Sequence, residues 1–206
     1  MFQSAIALIF TVFLVFLFNR KLYNVSSIFE GYMKPYMNKK DVARLLSCSS
    51  ILEGKVAAAY KQLSGRVKDP LVESLLLSIS YDSLKHSILL KGISKIIVDL
   101  RVGEGDCEMV MGGVWKKLIA FSEEEELMGA KIRDEELSSI VDKMMRFESL
   151  CGEEYLTRLD LQVLKLVVKD LEVDSESLKY ILDGIIEDKK RHEKTMLLVK
   201  KMISKR

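Results

Sequence analysis

The sequence predicts an all-α protein in which a four-helix bundle follows one amino-terminal membrane-anchoring helix. The chain has 206 residues, enough for one domain with a buried core and a short appendage. Its two prolines and eleven glycines are few, and good helix formers dominate the rest. Apolar residues also recur at helical spacing over long segments. We therefore expect an anchor over residues 1–21, a juxtamembrane linker over 22–40 and the bundle over 41–206.

The anchor is predicted from an uncharged start whose residues 5–18 read AIALIFTVFLVFLF. Its length is near the lower limit for a helix that crosses a bilayer. A cleaved signal peptide would need a positive segment before the apolar run and a small-residue cleavage site after it, whereas this run is followed by Asn19, Arg20 and Lys21. We expect an uncleaved single-pass anchor, and the positive charges after it place the large domain in the cytoplasm.

The first helical hairpin is predicted from its caps and breakers. Asp41 is expected to cap a helix that ends at Ser64, because a glycine follows there. Asp69 and Pro70 then provide the N-cap and first residue of a second helix that runs to about Leu100.

The second hairpin is predicted after a long, glycine-containing crossover at 101–133, which we expect to hold one shorter helix at 113–128. The third helix is then expected over 134–169 and the fourth over 174–204, with Asp174 or Ser175 as its cap. A short, a long and a short connection is the wiring of two helical hairpins laid side by side.

Composition excludes some classes of function. The 32 Lys and Arg nearly balance the 30 Asp and Glu, so the sequence does not predict nucleic-acid binding. The widely spaced Cys48, Cys107 and Cys151 fit neither a disulfide framework nor a zinc site, and we expect buried thiols in a reducing compartment. Asn and Gln are scarce beside abundant Lys and Glu, which favours a heat-loving source.

The chain has two histidines, and each has an aspartate four residues earlier: Asp82 before His86, and Asp188 before His192. An offset of 106 residues superposes the two pairs and the apolar positions around them, which indicates an internal repeat. Both pairs fall on the apolar stripe of a long helix. We therefore expect them to point into the bundle at related depths.

Three segments resemble the ferritin-like superfamily, which includes ferritins, rubrerythrins and bacterioferritins. They are LEGKVAAAY at 52–60, YDSLKH at 81–86 and IEDKKRH at 186–192, and the resemblance extends over residues 41–204. In that family a glutamate from the first helix of each hairpin and an ExxH pair from the second hold two metal ions. This chain departs from the pattern, because Ser83 and Lys189 stand where the ExxH glutamates would be.

The resemblance implies an altered carboxylate–histidine site for iron or manganese. Its candidate ligands are Glu53, Asp82, His86, Glu154, Asp188 and His192. Glu154 is preferred over Glu148 because its depth in the helix matches that of Asp188. Glu148 remains the alternative, because Glu148 and Tyr155 have the same Glu-x6-Tyr spacing as Glu53 and Tyr60. The alternative is a metal-free layer in which each histidine is hydrogen-bonded to the aspartate of the other hairpin.

Two functions follow from these two alternatives. The first is a membrane-anchored structural or interaction module without a complete di-metal centre, whose partner is another protein or a second copy of the chain. The second is a metal-dependent oxidoreductase or iron-handling protein. The sequence has no phosphate-binding loop and no nucleophile motif, so an enzymatic role has no other support.

Overall fold

The computed structural model describes residues 37–111, 115–116, 119, 132, 134–151, 163 and 174–204, and their secondary structure is entirely α-helical. This confirms the all-α part of the predicted fold. The described residues belong to one compact unit, Lys34–Arg206. No helix among them is both long and apolar enough to cross a membrane. The anchor predicted at 1–21, and most of the linker, lie outside the described residues.

The first helix, α1, spans Lys39–Ser64. Its N-cap is Asn38, whose side chain accepts a hydrogen bond of 3.0 Å from the backbone amide of Asp41. The prediction that Asp41 is the cap is therefore wrong. Asp41 lies in the first turn, where its negative charge interacts favourably with the helix dipole.

The second helix, α2, spans Pro70–Ile97 and begins as predicted. The Asp69 side chain accepts hydrogen bonds from the backbone amides of Leu71 and Val72. Pro70 has no N–H group, but an N–H at the first helical position would have no partner within the helix.

Small polar residues join α1 to α2. Ser50 Oγ donates to the carbonyl oxygen of Ser87, and Ser87 Oγ donates to that of Ser50, each over 2.7 Å. Further along the same antiparallel pair, Ser80 donates to Ala57. A hydroxyl reaches the neighbouring backbone only when two helices approach closely, which small side chains permit. The resulting register places Glu53 of α1 beside the middle of α2.

A short helix, α3, spans Glu104–Met111 and begins immediately after Gly103. The sequence instead predicted an irregular stretch here and a helix at 113–128, most of which lies outside the described residues. The buried Cys107 of α3 forms a disulfide with the buried Cys48 of α1, their Cα atoms 5.3 Å apart. The prediction of free thiols is wrong for these two residues, because their proximity arises from the fold across 59 residues of chain.

The remaining helices are α4, Asp134–Cys151, and α5, Ser175–Ile203. Asp174 caps α5 through the amides of Glu176 and Ser177, one of the two caps predicted. The predicted continuation of α4 to residue 169 lies outside the described residues.

Ion pairs fix the direction of α4 against α5. Lys189 of α5 contacts Glu148 of α4. Lys200 lies eleven residues after Lys189, and it contacts Asp142, which lies six residues before Glu148. The two helices are therefore antiparallel. Because α5 also packs on α2, helices from both predicted hairpins meet along α5.

Candidate functional site

Both histidines lie at the centre of the bundle. His86 of α2 and His192 of α5 are 0 % and 1 % exposed, and their ring centroids are 5.9 Å apart. The prediction that the two repeats contribute inward-facing histidines to one layer is confirmed.

The aspartates pair with the histidines across the two hairpins. His86 Nε2 lies 3.0 Å from Asp188 Oδ2, and His192 Nε2 lies 3.3 Å from Asp82 Oδ2. This is the crossed arrangement expected for a metal-free polar layer. An ionised carboxylate can only accept hydrogen bonds, so the proton in each pair resides on Nε2.

Cations surround these aspartates on the outer side of the rings. Lys85 contacts Asp82 and Asp188 at 2.8 and 2.5 Å, and Arg191 contacts the same two at 2.8 and 2.6 Å. Burial opposes ionisation of both aspartates, but the hydrogen bond from Lys85 and the other donors outweighs it and lowers both pKa values. We call these four residues the outer cluster. Asp82 and Asp188 lie there, on the Nε2 side of the rings, and their predicted role as ligands remains a prediction.

The opposite side of the rings holds a second group, the inner cluster, whose members are Glu53, His86, Glu148, Lys189 and His192. Lys189 Nζ lies 2.8 Å from Glu53 Oε1 and 3.3 Å from Glu148 Oε2, and all three side chains are at most 6 % exposed. Burial opposes ionisation of Glu148, but the charge of Lys189 above all, together with the nearby His192 and the hydrogen bond from Tyr60, lowers its pKa to about 2. The pKa of Glu53 is lowered against the same burial, chiefly by Lys189.

The expectation that Glu148 lies too far from this layer is wrong. Glu148 is 2 % exposed, and Tyr60 of α1 donates a 3.0 Å hydrogen bond to its Oε1. The depth comparison failed because it counted residues along separate helices without knowing their register. The Glu-x6-Tyr spacing that Glu148 shares with Glu53 is the signal that could have identified it. Glu154, the predicted ligand, lies outside the described residues.

Four buried side-chain atoms in or near the layer of the histidines have no hydrogen-bond partner among the described residues. These atoms are Glu53 Oε2, Ser83 Oγ, His86 Nδ1 and His192 Nδ1. His86 Nδ1 is 3.6 Å from Glu53 Oε2, and His192 Nδ1 is 3.8 Å from Glu148 Oε2. A neutral imidazole that donates from Nε2 presents a lone pair at Nδ1, so each ring turns an acceptor toward a carboxylate that is also an acceptor. Such a pair requires a proton or a cation nearby.

The inner cluster does not fit the two-metal centre of the resembled family. The ammonium of Lys189 bridges the two glutamates that would hold such metals, and like charges at this distance repel. Within the part of the chain that the structure describes, no three His, Cys, Asp or Glu side chains are arranged to hold a metal ion.

Comparison with protein-family models, with curated proteins and with solved structures finds no match to this chain. The kinship with ferritin-like proteins therefore remains a prediction from the residues.

Proposed function

We propose that this chain is a ferritin-like bundle in which a lysine has replaced the metal centre, and that it acts as a structural or interaction module. The observation that carries the proposal is the Lys189 ammonium between Glu53 and Glu148. Lys189 stands three residues before His192, where the ExxH pattern has a ligand glutamate. The substitution removes one negative charge from the centre and adds one positive charge.

An internal cation performs the structural task of a metal without its chemistry. Buried carboxylates are stable only when a positive charge compensates them. A metal ion does this reversibly and offers open coordination positions, whereas a lysine is covalently attached and always present. A centre that is neutralised by Lys189 supports a permanently folded bundle, and we propose no catalytic turnover for it.

The proposal extends to the location of the chain. The apolar segment at 1–21 and the positive charges that follow support a membrane-bound protein with a cytoplasmic domain. A Cys48–Cys107 disulfide persists in cytoplasm chiefly in hyperthermophiles, which agrees with the scarcity of Asn and Gln. Melting of the full-length chain below about 70 °C would argue against this origin, since mesophile domains melt at roughly 45–65 °C.

Metal analysis of full-length protein produced with iron and manganese tests the central claim. We expect fewer than about one metal ion per ten chains. Near-stoichiometric metal that disappears in a His86→Ala, His192→Ala variant would contradict the proposal.

A gain-of-metal variant tests the kinship separately. Ser83→Glu with Lys189→Glu restores both ExxH pairs, and we expect this double variant to bind about two ions per chain if the ferritin-like wiring is correct. Ser83→Glu with Lys190→Glu is the matched control, because it makes the same charge change one position away. A folded double variant, checked by circular dichroism, that binds no more metal than this control would refute the kinship.

The second candidate is a metal-dependent oxidoreductase or iron-handling protein with one metal ion. The facing acceptors favour it, because a cation between His86 Nδ1 and Glu53 Oε2 would satisfy both atoms. The same metal analysis separates the two functions: one ion per chain, bound in wild type and lost in His86→Ala, supports this candidate.

A further inference from the structure

The outward side of α2 carries an apolar ridge formed by Leu77, Tyr81, Leu84 and Ile88. These residues follow one another at intervals of four, three and four, which keeps them on one side of the helix. Tyr81, Leu84 and Ile88 are 62 %, 48 % and 65 % exposed, and Leu77 is half-buried. This is the spacing of a helix that packs against a second helix.

The ridge is additional to the face that α2 buries in the bundle. Ile79, His86 and Leu90 occupy the opposite side of α2 and are at most 1 % exposed. A helix at the surface of a monomer is normally polar on its outer side. The neighbouring α1 follows that rule, since none of the large apolar side chains found exposed in the described residues lies on it.

We propose that the occupant of the ridge is α2 of a second copy of this chain, packed antiparallel about a twofold axis. In the register that we propose, Leu77 lies opposite Ile88 of the second copy, and Tyr81 lies opposite Leu84 of the second copy. The axis passes near residues 82 and 83, so each contact occurs twice. A twofold interface requires a patch that is complementary to itself, and this ridge satisfies that requirement.

The charges beside the ridge favour the antiparallel register. Glu73 and Lys91 are eighteen residues apart, which is five helical turns, so both flank the same side of the ridge. Both are exposed, and neither forms an ion pair with another residue in the described ranges. The register that pairs Leu77 with Ile88 brings Glu73 opposite Lys91 of the second copy, twice. Parallel packing would leave Glu73 and Lys91 of the two copies about 27 Å apart along the helices, so this pair could not form.

This inference rests on the proposed role as an interaction module and gives that module a partner. Its failure is distinguishable from failure of the proposed metal-free centre, because the ridge lies on the side of α2 opposite His86. Metal analysis reports on the centre alone, and self-association reports on the ridge alone.

Sedimentation equilibrium of the full-length chain in density-matched detergent tests the dimer. Ile88→Glu should raise the dimer dissociation constant at least about tenfold, since it places a charge in the contact. Glu73→Lys and Lys91→Glu should each weaken the dimer about three- to tenfold, and the double variant should return to within about threefold of wild type. Lys194→Glu on α5 makes the same charge change away from the ridge and should have no effect.

Restoration in the double variant is the decisive result, because it demands that the two positions face each other across the axis. A wild-type chain that stays monomeric at about 100 µM, where a specific contact of this kind should be populated, would overturn the proposal. So would a double variant weaker than either single variant. If the chain is monomeric and brominated phosphatidylcholine vesicles quench the fluorescence of an Ile88→Trp variant more than that of wild type, the ridge contacts a bilayer, and the second copy is refuted.

Discussion

The two halves of the polar centre differ most at the residue three positions before each histidine. In the first hairpin this residue is Ser83, which is 0 % exposed and whose hydroxyl has no hydrogen-bond partner among the described residues. In the second hairpin it is Lys189, which bridges Glu53 and Glu148. Around this difference the crossed contacts of His86 and His192 with the aspartates are nearly symmetric.

The repeat preserves the histidine–aspartate contacts, but its two halves differ in how buried charge is compensated. The outer cluster balances two aspartates with Lys85 and Arg191, and it lies partly in solvent. The inner cluster has two glutamates and one lysine, all of them buried. Because charge compensation matters more where water is excluded, the second hairpin should contribute far more to stability through Lys189 than the first does through Ser83.

Replacing Lys189 by Met should give the largest effect. The substitution keeps most of the side-chain volume but leaves Glu53 and Glu148 buried without their cation, and breaking a buried pair costs about 3–5 kcal/mol. Guanidinium unfolding of the full-length chain at pH 7, followed by circular dichroism, measures the loss. Lys190→Met is the control, because Lys190 forms an exposed pair with Glu187 and should cost less than about 0.5 kcal/mol. A loss below about 1 kcal/mol for Lys189→Met would show that the lysine does not hold the centre together.

Acid should weaken the wild-type bundle through the same residues. The pKa of Glu148 is about 2 in the folded chain, below the value of an unfolded glutamate, so its stabilisation is present above about pH 4.5 and is lost as the pH falls toward about 2. The expected loss is of the order of 1–3 kcal/mol. Lys189→Met removes the chief favourable cause, so this variant should lose less stability over the same interval. Equal slopes of unfolding free energy against pH in the two proteins would contradict the assignment.

Glu148→Gln should destabilise the bundle by about 1–3 kcal/mol, because Lys189 loses a charged partner and Tyr60 donates to a weaker acceptor. Glu154→Gln is the informative comparison, since Glu154 was the carboxylate preferred by its depth in the sequence. If Glu148 is the carboxylate of the inner cluster, the Glu154 variant should have the smaller effect in the same unfolding measurement. The reverse order would restore the original choice.

These residues also show which features a sequence reveals. The caps Asp69 and Asp174 were predictable because capping is local, and the inward histidines were predictable because the repeat marks equivalent positions. Asn38 was missed as a cap because Asp41, three residues later, is equally capable of capping. Glu148 and the Cys48–Cys107 disulfide were missed because they depend on the register of helices far apart in the chain. The ion pairs of Lys189 belong to the same class, since the sequence indicates only that an ammonium enters the centre.

Ser83→Ala should give the smallest effect, and it tests the first hairpin at the position equivalent to Lys189. The buried Ser83 hydroxyl has no hydrogen-bond partner in the described structure. Its removal should therefore cost less than about 0.5 kcal/mol of unfolding free energy, and it should stabilise the bundle if the hydroxyl binds no cation. Ser80→Ala is the matched control on the same helix, because Ser80 donates to the Ala57 carbonyl and its loss should cost about 1 kcal/mol. A loss of 1 kcal/mol or more for Ser83→Ala would mean that this hydroxyl has a ligand. Both halves of the repeat would then have a partnered side chain three positions before the histidine.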